Sequence, residues 1–170
     1  RLQGDWSSDV CSSDLNQMAY RDGDGWIECN CGGKHWGLNG AAGLLLVRNG
    51  SILMQHRAPW VHNGGTWGIP GGARDSHESA TQAAIREANE EIGIDKDLIE
   101  PISVFTDDHG VWRYETIICK AGEELIAYEM NDESQEVAWI KFEEVEKTNL
   151  HPSFAATWPK LLAEVRRIFP

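Results

Sequence analysis

The segment Gly72–Ile94, GARDSHESATQAAIREANEEIGI, decides how this chain is read. From about Ser76 to Ile92 its pattern is helical, with Ser76 as N-cap and Gly93 as the C-terminal stop. Projected at about 100° per residue, Ile85, Ala88 and Ile92 fall within about 60° of one another and form an apolar stripe. Glu87, Glu90 and Glu91 gather on the other side, together with the small residues Ala80, Ala83 and Ala84. Like charges at i,i+3 and i,i+4 repel by a few tenths of a kcal/mol per pair, and nothing basic at matching spacing offsets all three. A solvated acidic face satisfies that pattern. So does a set of oxygen ligands for hard divalent cations, since Mg²⁺ prefers carboxylates combined with substrate phosphates.

Upstream of this helix, the apolar run Gly40–Val47 ends at Arg48-Asn49-Gly50 and leads into Ser51–Arg57 (SILMQHR), which predicts a hairpin on an Asn-Gly turn. Residues 59–72, dense in Gly, Trp and Pro, read as loop. Downstream, strands are predicted near 101–107, 111–120, 124–129 and 136–142. A last amphipathic helix is predicted from about Phe154 to Ile168, with Trp158, Leu161, Leu162 and Val165 at helical spacing. Mostly strands with one central and one terminal helix predicts a mixed α/β domain.

The chain has 170 residues, 41% hydrophobic and 25% charged, which suits one globular domain with a real core. No apolar run approaches the roughly 18 residues of a membrane helix. With 15 basic and 27 acidic residues the formal charge is −12, which argues against a nucleic-acid polymer as the main partner. Such a chain still handles phosphates where divalent ions supply positive charge.

Residues 5–15 (DWSSDVCSSDL) resemble a translated sequencing-library adapter, so 1–15 is read as a non-native segment outside the fold and the authentic amino terminus is unknown. Without it the charge is −10 and three cysteines remain, Cys29, Cys31 and Cys119. That is no disulfide scaffold, and a reducing cytoplasm is expected. Cys29-x-Cys31 followed by His35 suggests either a metal knuckle or a glycine-rich hairpin over Asn30–Gly33. A structural zinc needs four ligands and only three are in view, so the hairpin is the expected reading, an N-terminal extension over 16–37 ahead of a domain at 38–170.

From Gly72, five residues precede Glu78, seven more precede Arg86-Glu87, and Ala88, Asn89, Glu90, Glu91, Ile92, Gly93 and Ile94 follow. This resembles the Nudix box, Gly-x5-Glu-x7-Arg-Glu-U-x-Glu-Glu-x-Gly-U with U a bulky aliphatic residue. The departure is Ala88 at the first U. Gly65–Gly72 (GTWGIPGG) also looks like the strand entering the box in MutT-like members, and the resemblance covers residues 38–168.

The resemblance implies the Nudix fold, a mixed β-sheet sandwiched between helices (an α/β/α sandwich). It implies hydrolysis of a nucleoside diphosphate derivative by water attack on phosphorus with Mg²⁺ or Mn²⁺, which neutralise the pyrophosphate oxygens and lower the pKa of a bound water. The metal ligands it implies are Glu87, Glu90 and Glu91, the Gly71 carbonyl, and Glu133 as an extra ligand or general base, with Glu136 next in line. Glu78 and Arg86 look like the pair that orients the helix; Arg86 is also carried as a candidate catalytic residue.

Family markers for ADP-ribose, a Pro some 15 or 16 residues past the box, and for coenzyme A are missing. For diadenosine polyphosphates, Val111 and Trp112 stand where a Tyr is usual, although Tyr114 is near. What remains resembles a MutT-type nucleoside triphosphate pyrophosphohydrolase, with a dinucleoside-polyphosphate or nucleotide-sugar hydrolase, or a non-catalytic nucleotide sensor, as alternatives. Trp67, Trp112 and Phe154 are candidates to stack on a base, and Asp108, at a strand end with Asp107 and His109, to face substrate. Trp139 and Trp158 are expected in the core. The partner is a small nucleotide rather than a polymer or membrane, and the protein a monomer or homodimer.

Overall fold

The computed structural model describes residues 21–170, and the first elements among these are a small antiparallel hairpin, β1 (Trp26–Glu28) and β2 (Lys34–Trp36), forming a sheet of its own. The expectation for residues 1–15 lies outside the described residues. β3 (Ala41–Arg48) and β4 (Ser51–Arg57) follow, joined at Asn49 (φ 49°) and Gly50 (φ 71°). Two successive left-handed residues make the tight hairpin turn that Asn-Gly favours. β3 and β4 pair only next to this turn, at Val47–Ile52 and Arg48–Ser51, and then separate.

The gap between them is filled by the segment expected to be loop. It contributes β5 (Trp67–Gly68), which pairs with β4, and β6 (Gly71–Ala73), which pairs with β3 from Ala41–Ala73 to Gly43–Gly71. Leu44 N–H donates to the Pro70 carbonyl at 3.0 Å. Gly43 and Gly71 leave room there: a Cβ on either would strike the Tyr114 hydroxyl.

The helix α1 (Ala80–Ile92) begins later than expected, because Ser79 rather than Ser76 is its N-cap. Gln82 N–H donates to Ser79 Oγ at 3.2 Å, while Gln82 Oε1 accepts from Ser79 N–H at 2.9 Å, a complete capping box. Ser76 is instead tied to Asp22 through both its N–H and its hydroxyl. At the other end Gly93 (φ 61°) closes the helix as expected, its N–H donating to the Asn89 carbonyl.

β7 (Ile99–Asp108) and β8 (Arg113–Ala121) then form an antiparallel pair, and β8 runs parallel to β3. No strand occupies residues 124–129. Tyr128 N–H and Met130 N–H donate instead to the Ile92 and Glu91 carbonyls, so this stretch satisfies the end of α1, whose last carbonyls have no partner within the helix. β9 (Ser134–Lys141) pairs antiparallel with β4, and α2 (Pro152–Ile168) ends the fold.

Among the described residues the result is a mixed seven-stranded sheet between two helices. Along β3, Leu44 and Leu46 join the core under α1, while Leu45 and Val47 join Phe154, Trp158, Leu161 and Val165 of α2. A strand buried on both faces is apolar throughout, which is why residues 41–47 show no alternation. Trp158 is fully buried and Trp139 packs against the α1 side, as expected.

Candidate active site

The buried face of α1 is made of alanines. Ala80, Ala83, Ala84 and Ala88 are all buried against the sheet, and Ile92 ends the row. The alanines are therefore not spacers on an open carboxylate surface; they are the contact face, and their small size draws the helix close. Ala88, the departure from the box pattern, is at 0% exposure within this contact. Glu87 and Glu91 sit at the centre of the same face, so their carboxylates are carried into the gap between β3 and β4 rather than into water.

Glu91 is 5% exposed. Its Oε2 accepts from Gln55 Nε2 at 2.9 Å and from Gly71 N–H at 3.1 Å. Burial, reinforced by the nearby charge of Glu87, pushes its carboxyl up to about 8 against the hydrogen bonds that favour the anion. Burial also raises Glu87. Such carboxylates, crowded and poorly hydrated, suit divalent cations, which cancel their repulsion; the donor set fits Mg²⁺ or Mn²⁺.

Arg86 holds this arrangement. Its Nε and Nη2 donate to the two Glu78 oxygens at 2.6 and 2.8 Å, a bidentate pair, while Nη2 also reaches the Ala73 carbonyl at 3.0 Å and Nη1 donates to Glu87 Oε1 at 2.5 Å. This clamps α1 to β6 and turns Glu87. Glu90 lies at the edge of the face, where Arg21 Nη2 donates to its Oε1 at 2.5 Å and Arg86 lies 3.7 Å away.

Gln55 is a site residue that the sequence reading missed. Its amide links Glu91 to Ser134, whose hydroxyl donates to Gln55 Oε1 at 2.7 Å. A polar residue within the apolar run SILMQHR was the available signal. Glu133 immediately precedes Ser134; its carbonyl accepts from Ala58 N–H at 2.8 Å and its side chain is exposed. Glu136 is also exposed, opposite His56 in the β4–β9 register.

The four substrate candidates are scattered. Phe154 is a core residue: its ring packs on Trp158 with centroids 5.6 Å apart, which corrects its reading as a stacking platform. Trp67 stacks on His56 at 4.9 Å. Trp112 stacks on His35 at 4.2 Å. Asp108 accepts from Gly110 N–H at 2.8 Å across the β7–β8 turn.

Two groups of side chains among the described residues already hold their donor atoms close enough together for one ion, Asp22–Asp75–His77 and Cys29–Cys31–His35–His109. Neither is the glutamate set, in which Arg86 engages Glu87, Arg21 engages Glu90, and Gln55 and Gly71 engage Glu91.

The chain matches the NUDIX domain family over residues 37–161. It belongs to the Nudix family. A Mycobacterium tuberculosis protein named putative 8-oxo-dGTP diphosphatase 3 is 43% identical over 162 residues, covering 89% of this chain and 74% of that protein. A Bifidobacterium longum nucleoside triphosphate pyrophosphatase/Nudix hydrolase fusion protein is 40% identical, but the chain spans only 33% of its length. The crystal structure of the Mycobacterium smegmatis Nudix hydrolase RenU superposes with a TM-score of 0.77 at 42% identity, covering 87% of this chain and 98% of that one. The protein is a Nudix-family hydrolase. No helix among the described residues is long and apolar enough to cross a membrane.

Proposed function

We propose that this Nudix hydrolase converts a nucleoside triphosphate to the monophosphate and pyrophosphate, as MutT-type enzymes do, with Mg²⁺ or Mn²⁺. The observation that carries the reading is the seating of Glu87 and Glu91 side by side against β6, with Glu90 at the rim. Glu87 lies beside Gly72 and Glu91 accepts from Gly71 N–H, which supports a cation site at these carboxylates. Similarity to a relative named as an 8-oxo-dGTP diphosphatase favours an oxidised purine triphosphate among the possible substrates.

In this reading Glu87, Glu90, Glu91 and the Gly71 carbonyl hold the cations, which when bound neutralise the pyrophosphate and acidify water. Arg86 and Glu78 fix the helix that presents the carboxylates, and Gln55 fixes Glu91. Glu133 is the candidate base. Its carbonyl accepts from Ala58 N–H just past the end of β4, and its neighbour Ser134 belongs to the Glu91–Gln55 network. Direct or one-water reach to the attacking water is what that role requires. Trp67 and Trp112, each half-buried, are the remaining candidates for stacking on the base, with Asp108 beside the latter.

Mass-spectrometric identification of products from a nucleotide panel, with and without Mg²⁺, tests this. The panel holds ordinary and oxidised triphosphates, diadenosine tetraphosphate, ADP-ribose and nucleotide sugars. Monophosphate plus pyrophosphate from one triphosphate is expected. Turnover of only a dinucleoside polyphosphate or nucleotide sugar would replace the triphosphate reading with that alternative, and binding without turnover would favour a sensor.

A further inference from the structure

The sequence offered three of the four ligands of a zinc site and no fourth. The fold supplies it. His109, at the β7–β8 turn, is brought against the β1–β2 hairpin, so that Cys29, Cys31, His35 and His109 each present a ligand atom, all within 4.8 Å of one another. Cys31 Sγ and His35 Nε2 are 3.1 Å apart, and Cys29 Sγ lies 4.0 Å from the His109 carbonyl. We propose that these four residues form a structural Zn²⁺ site that fastens the N-terminal hairpin to the β7–β8 turn.

Two thiolates and two imidazoles are the donor set of tetrahedral zinc, with ligand atoms separated by roughly 3.3–3.8 Å once the metal is bound. Only a small contraction of the group is needed. The backbone is arranged as metal-binding thiolates require: Cys31 N–H donates to Cys29 Sγ at 3.4 Å, and Gly32 takes φ 88°, turning the chain back within the hairpin. His109 Nε2 lies 3.3 Å from Asp107 Oδ2, the kind of carboxylate–histidine contact that orients a zinc-bound ring. His35 is similarly held, stacked on Trp112, whose Nε1 donates to the Trp36 carbonyl at 3.2 Å.

All four positions are filled by protein, so the site is closed and structural rather than catalytic. Cys29, Cys31 and His35 precede the residues matched by the Nudix family, and none of the four is a box residue. The hairpin also leads back to Arg21 and Gly23, which contact Glu90 and Asp75 within the box. Fastening it therefore steadies the chain that borders the carboxylate site.

The test is metal analysis of the full chain purified without chelator, by plasma mass spectrometry. About one zinc per chain is expected, unchanged in Glu90→Gln and lost in Cys31→Ser and in His109→Ala. Cobalt added to the metal-free protein should give the intense visible bands of tetrahedral coordination, with thiolate-to-cobalt charge transfer in the near ultraviolet. Removing zinc should lower the Tm by several degrees, since a ligand bound only by the folded state stabilises it. Substoichiometric zinc that addition of zinc does not restore, with no thiolate charge transfer from cobalt, would overturn the site. Zinc lost in Glu90→Gln but kept in His109→Ala would move the metal to the carboxylates and overturn it equally.

Discussion

Gly72 lies under the carboxylate of Glu87: a Cβ built on Gly72 would stand 2.6 Å from the Glu87 carboxyl carbon and 2.7–2.8 Å from its oxygens. The first glycine of the box is therefore required by a side chain fifteen positions later, and not by an unusual backbone angle at Gly72. Gly72→Ala should push Glu87 out of its place against β6. Turnover is expected to fall at least about tenfold, the scale of losing part of a metal's transition-state stabilisation, with little change in circular dichroism. Steady-state kinetics at saturating Mg²⁺ check this, and wild-type kcat in the variant would refute the contact's importance.

Glu90 is exposed, so its substitution leaves the core intact. Glu90→Gln is expected to lose at least roughly tenfold in kcat while its melting temperature stays near wild type. Unchanged turnover would remove Glu90 from the metal set.

Arg86 and Glu78 form a bidentate pair whose side chains are 17% and 10% exposed. Arg86→Lys keeps the charge and loses the fork. A double-mutant cycle with Glu78→Gln should return a coupling of about 1–3 kcal/mol in urea unfolding. A coupling near zero would show that the pair does not hold α1 to β6.

Glu91 gives the metal-free protein a pH dependence of definite sign. Its carboxyl is raised from 4.5 to about 8, so between those values the folded chain keeps a proton that the unfolded chain has released. Its contribution to stability is full below the lower value and declines as pH rises toward the upper one. In magnesium-free buffer the Tm of wild type should fall more steeply than that of Glu91→Gln between about pH 5 and 8. Mg²⁺ should stabilise wild type more at the alkaline end, because it displaces that proton. Parallel melting curves for the two proteins would contradict this account.

Trp158 fills the core between α2 and the sheet with no exposure. Trp158→Ala should cost about 3–5 kcal/mol by chemical denaturation. A loss below about 1 kcal/mol would mean that the α2 layer collapses around the cavity.

Much of this protein was legible in its sequence. The spacing from Gly72 to Ile94 determined the family, the carboxylates and the helix that bears them, because those constraints act over one or two helical turns. The Asn49-Gly50 turn and the apolar run of β3 are equally local. The capping box at Ser79-Ala-Thr-Gln82 was also written there, although Ser76 competes for the same role. Tertiary structure alone decided which face of α1 is buried, since alanines suit either face until a sheet lies against one. It alone turned residues 124–129 into a cap for α1, and placed Phe154 in the core. Only the fold brought His109 to Cys29, Cys31 and His35: Cys29 and His109 are 80 positions apart. A ligand set split between a hairpin and a distant turn leaves no spacing to read, because its geometry exists only once the strands have paired.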